Sequence, residues 1–100
     1  MPKIPVIKFE KNPKSQEEVI AKGKELESFK NKLLEGVDMS KLEDTKEYKD
    51  VIDAIETLKN DKSYFDYLSK ADKNQLWVTN DWFKNTMENI QRLVNNVKNI

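Results

Sequence analysis

Three segments of this chain space their apolar residues at three- and four-residue steps, and each carries those residues on one side only. Val19, Ile20, Leu26, Phe29, Leu33 and Leu34 form the first stripe, and Tyr48, Val51, Ile52, Ile55 and Leu58 the second. Phe83, Met87, Ile90, Val94 and Val97 form the third, which Leu93 and Ile100 extend. The spacing is that of amphipathic helices. A helix with a single apolar stripe is not viable alone in water, so the segments must lean on one another. At 100 residues there is room for one small core and no second. The expected fold is all-α: a small bundle of three main helices plus one short helix. An extended N-terminal arm over residues 1–14 precedes a single helical domain over 15–100.

Local signals set the expected boundaries. Pro2, Pro5 and Pro13 keep their preceding residues out of helical space, and Ile4, Val6, Ile7 and Phe9 suit an extended, packed arm. Ser15 with Glu18 reads as a capping box that opens the first helix, and Gly36 as the left-handed stop that ends it at Glu35. Gly23 lies on the apolar side, where it would let a neighbouring segment come close. Ser40 with Glu43, Asp44 with Glu47 and Ser63 with Asp66 are further helix-start pairs. Residues 71–80 have two readings. Asp72 and Gln75 would cap a turn of helix, or Leu76, Trp77 and Val78 would form a short strand against the arm. The last helix is expected to be capped by Thr79 or Asn80.

Little catalytic equipment is present. There is no histidine and no cysteine, so imidazole bases, thiol nucleophiles and disulfides are excluded. Two glycines cannot make a phosphate-cradling loop, and the serines have no activating partner. Glu43, Glu47, Asp50 and Asp53 share an arc of the second helix, but Lys46 and Lys49 are interleaved, which points to a solvated face with local ion pairs. No enzyme activity, no cofactor and no metal site are expected. No apolar run is long enough for a membrane span, and the lack of cysteine and of a leader-like start leads to a cytoplasmic expectation.

What remains is binding. Net charge is zero, with a surplus of three positive charges in residues 1–14, two in 84–100 and five negative charges between. Residues 64–83 hold six of the nine aromatics. Adjacent helical residues point about 100° apart, so pairs such as Tyr64/Phe65 and Trp82/Phe83 cannot both be fully buried by one stripe. Tyr67, Trp77 and Trp82 are the residues expected to hold a partner protein, because tyrosine and tryptophan make strong interface anchors. The expected function is a non-enzymatic protein-protein interaction module: an adaptor, assembly chaperone or inhibitor. Seventeen lysines against one arginine, with ten asparagines, suggest a phage or mobile element of a low-GC bacterium. Two alternatives stand beside this. A weak nucleic-acid-binding protein would use Lys84, Arg92 and Lys98, although neutrality and a single arginine make nucleic acid the less favoured partner. A self-associating structural protein would complete its core as a homodimer.

Overall fold

The computed structural model describes residues 5–98. Four α-helices run in order: α1 (Gln16–Leu33), α2 (Lys46–Asn60), α3 (Lys62–Ser69) and α4 (Lys73–Lys98). A single 3-10 turn, Met39–Lys41, lies in the connector between α1 and α2. No strand occurs among the described residues. The three long helices and one short one match the architecture that the stripes require.

Each stripe faces a shared interior. Val19, Leu26, Phe29 and Leu33 of α1 are buried with Val51, Ile55 and Leu58 of α2 and with Phe83, Met87, Ile90 and Val94 of α4. Helix α2 sits between the other two long helices, packing on both. Gly23 marks the crossing of α1 and α2. A Cβ there would lie 3.0 Å from the Leu58 Cβ and 2.8 Å from the Lys59 Cγ, so the absence of a side chain sets how closely the two helices meet. Lys59 then reaches across the same crossing, with Nζ 3.2 Å from both carboxylate oxygens of Glu27.

The arm belongs to this interior. Ile7, Phe9 and Pro13 are buried, while Val6 just before them is 79% exposed. Burying Ile7 and Phe9 contributes about 1.5–3 kcal/mol each, which an arm with no strand partner needs. Two asparagine side chains hold the backbone in place. Asn80 of α4 accepts from the Phe9 N–H at 2.8 Å and donates to the Phe9 carbonyl at 2.9 Å, replacing the two bonds a neighbouring strand would supply. Asn12 donates to the carbonyls of Leu68 and Ala71, at 2.7 and 2.8 Å, and so ties the arm to the end of α3. Ile4 of the expected arm and Ile100 of the third stripe lie outside the described residues.

Several boundaries differ from the sequence reading. Helix α4 begins at Lys73, well before the expected cap at Thr79 or Asn80. The Asp72–Gln75 pair decides this. The Gln75 N–H donates to Asp72 Oδ1 and the Asp72 N–H to Gln75 Oε1, both at 2.8 Å, a complete capping box. Leu76, Trp77 and Val78 are therefore helical, and the strand reading is wrong. Helix α1 stops at Leu33 with Leu34 as cap, two residues before Glu35, and Gly36 takes φ +73° just beyond. At its start the Ser15 side chain caps nothing; Glu18 instead accepts from the Lys14 N–H at 3.1 Å. The caps of the later elements are Asp38, Thr45 and Asp61 in place of Ser40, Asp44 and Ser63.

Candidate functional site

Helix α3 starts at Asp61, which also ends α2. Its carboxylate accepts from the Ser63 hydroxyl at 2.6 Å and from the Ser63 N–H at 3.0 Å. These bonds, the Ser63 hydroxyl foremost, hold the Asp61 carboxyl below its ordinary pKa. A carboxyl lowered in the folded state contributes stability above its unfolded pKa, near 3.9, and that contribution is lost as pH falls through the lower folded value. The Ser63 amide is therefore expected to lose hydrogen-exchange protection in that acid window. In Asp61→Ala the protection should already be low at neutral pH and the acid step absent, as amide exchange followed by NMR would show.

The cap matters because α3 carries the rings. Leu68 is buried, Tyr64 and Phe65 are half-buried, and Tyr67 is 41% exposed. Burial raises the Tyr64 phenol above its ordinary pKa, with a weak opposing bond to Thr79 Oγ1 at 3.4 Å. Five rings form a run from the interior to the surface: Phe9, Phe83, Trp82, Tyr64 and Tyr67. Successive centroids are 5.9, 5.5, 5.9 and 5.8 Å apart. Separations of that size are favourable for offset and edge-on aromatic contacts. Phe83 is wholly buried, and Trp82 is half-buried between it and Tyr64.

The outer end of this run opens into a surface hollow of ≈380 Å³ lined by Tyr64, Tyr67, Val78, Thr79 and Trp82. Tyr67 and Trp82 are thus brought together. Trp77 is not with them: five residues along a helix turn it about 140° from Trp82. It is 67% exposed and stands at a second hollow of ≈510 Å³, between the arm and α4, where Val6, Ile7, Asp81, Lys84 and Met87 are also found. The three expected partner residues are therefore divided between two adjoining surfaces of α4. Val78, 57% exposed, lines the first hollow. Neither Val78 nor Tyr64 was singled out from the sequence as a contact residue. The Asp72–Gln75 pair was the signal for Val78, because a helix starting at residue 73 carries Val78 outwards.

The cations proposed for nucleic acid do not converge. Lys84 lies 4.0 Å from Glu88, and Arg92 donates to Asn89 Oδ1 at 3.2 Å. Arg92 shares a mixed hollow with Lys46, Glu47 and Asp50. Helical geometry turns Lys98 about 120° from it. On α2, Asp50 is paired with Lys46 at 2.8 Å. Among the described residues no group of three or more histidine, cysteine, aspartate or glutamate side chains is placed to hold a metal ion, and no helix is long and apolar enough to cross a membrane. Comparisons of the chain with protein-family models, with curated proteins and with solved structures give no match.

Proposed function

We propose that this chain is a non-enzymatic protein-binding module that works as an adaptor, an assembly chaperone or an inhibitor. One observation carries the reading. The large apolar side chains that stand exposed among the described residues are Val6, Tyr67, Trp77 and Val78, and all four flank the first half of α4. Elsewhere the exposed side chains are mostly charged or polar. Scattered single exposed hydrophobics need no explanation, but four gathered around half of one helix support a contact surface there. An indole left in water adds little to the stability of the fold, and a partner that covers it gains the burial that folding did not use.

The test is affinity capture from the source cell with the wild-type chain, Tyr67→Ala and Trp77→Ala. Both side chains are exposed, so the variants should keep the wild-type far-ultraviolet circular dichroism. At least one should bind the captured partner about thirtyfold more weakly, the effect of an anchor contributing about 2 kcal/mol. Equal retention by both variants would reject the surface. Sedimentation of the same proteins shows whether the partner is a second copy of the chain.

A further inference from the structure

The arm has two edges, and the bundle uses one of them. Burial alternates residue by residue along it: Val6 is exposed, Ile7 buried, Lys8 exposed, Phe9 buried and Glu10 exposed. That period of two belongs to an extended strand with one face on a core. In such a strand the backbone N–H and C=O groups of successive residues also point to opposite edges. The Phe9 pair points to α4, where the Asn80 side chain holds both groups at 2.8 and 2.9 Å. By the same alternation Val6 and Lys8 direct theirs to the edge away from Asn80. None of these four groups has a hydrogen-bond partner among the described residues.

A hollow of ≈510 Å³ lies where the arm faces α1 instead of α4. Lys8, Lys11, Lys14 and Lys22 line it against Glu10 and Glu18, four positive charges against two negative, a surplus of two. Both carboxylates are engaged. Glu10 lies 3.7 Å from Lys8, and Glu18 accepts from the Lys14 N–H at 3.1 Å. The Lys11 and Lys14 ammonium groups pair with no carboxylate among the described residues.

Backbone edge and charge together select an occupant. Unpaired groups on an extended segment are completed by another extended chain, which brings matching donors and acceptors at the same spacing. A helix cannot do this, because its own backbone groups are paired internally. A second copy of this arm would set its lysines against these, and like charges on paired strands repel. Nucleic acid would satisfy the lysines, but it would place phosphates against the Val6 and Lys8 carbonyls, which only accept.

We propose that the free edge of the arm at Val6 and Lys8 receives an acidic, extended segment of the partner protein, paired as a β-strand beside Lys11 and Lys14. This rests on the reading of the chain as a protein-binding module, and it adds a contact on the edge of the arm opposite α4.

Short capped peptides alternating glutamate with threonine are titrated into the isotope-labelled chain and followed by NMR. Saturable binding is expected, with the Val6 and Lys8 amide protons moving downfield as they enter hydrogen bonds. The Phe9 amide, already bonded to Asn80, should move little. Methylating the peptide nitrogens at alternate residues separates strand pairing from charge attraction. One alternate set should abolish binding and the other spare it, since a single edge of the peptide faces the arm. Lys11→Glu reverses an unpaired charge, and Val6→Pro removes one N–H while keeping the backbone extended. Each should weaken binding about fivefold. Both side chains are exposed, and circular dichroism confirms that the variants are folded. No saturable binding, equal binding of peptides with lysine in place of glutamate, tolerance of both methylated sets, or binding unchanged in both variants would each overturn the proposal. So would a single-stranded oligonucleotide that shifts the same amides at lower concentration than the acidic peptides. If the peptides fail while cellular capture depends on Tyr67 or Trp77, the arm edge is not a contact and the module reading stands. If the peptides bind as expected while capture ignores both residues, the strand contact stands and the α4 surface falls.

Discussion

Replacing Phe83 by alanine is expected to lower the free energy of unfolding by about 3–5 kcal/mol, the range for a large aromatic removed from a packed interior. No other aromatic in the chain is so completely enclosed, with 0% of its surface exposed. It touches the ring of Phe9 on the arm at 5.9 Å and that of Trp82 at 5.5 Å, so it is the joint between the bundle core and the aromatic run. Its loss opens a cavity and also removes the surface against which the arm and Trp82 rest. A chain of this size has about 5–15 kcal/mol in total, so the variant should be close to the limit of folding. Urea unfolding followed by circular dichroism measures the change. A loss under 1 kcal/mol would mean that the interior closes over the gap and that Phe83 is not its centre.

The second large effect is expected at Asn80. Asn80→Leu keeps a similar size and a good helix former, yet it removes both hydrogen bonds to Phe9 and leaves a partly buried N–H and carbonyl without partners. The expected cost is about 2–4 kcal/mol from two bonds lost and two groups left unpaired. Its signature is local. The Phe9 amide should lose hydrogen-exchange protection far more than the amides of α2, because the arm opens before the bundle does. Asn85→Leu is the control on the same helix. Asn85 is exposed and bonded only to Asp81, so that change should stay within about 0.5 kcal/mol. Equal effects at the two positions would show that Asn80 does not clamp the arm.

These two residues show what could be read from the sequence and what could not. Phe83 was placed inside by its spacing from Met87 and Ile90, a relation contained within one helix. The three stripes were readable for the same reason. Asn80 was misread as a cap, because asparagine before an acidic residue is a good helix start. Its actual partner lies 71 residues away on the arm, and no local pattern encodes that distance. The cap errors are of a different kind. At each start two short polar side chains lay within reach, and in two cases the aspartate two residues ahead of the serine took the role. Asp38 and Asp61 each bond both the N–H and the hydroxyl of the serine that the sequence reading had chosen. In the candidate site, the rings were visible as a cluster. Their division into two hollows depends on the true start of α4, which the apparent strand character of Leu76–Trp77–Val78 obscured.

Because Asp61 alone separates α2 from α3, the two helices are joined without any slack. An extra residue at that corner would redirect α3 relative to α2 and carry Tyr64 and Tyr67 away from Trp82. The stretch from Leu34 to Thr45 is longer and less regular: Leu42 anchors it in the core, but Glu35 and the positive-φ Gly36 before the 3-10 turn are exposed. Insertions and deletions among descendants of this chain should therefore gather in that stretch and spare position 61, leaving a variable-length end opposite an end whose spacing is rigidly inherited.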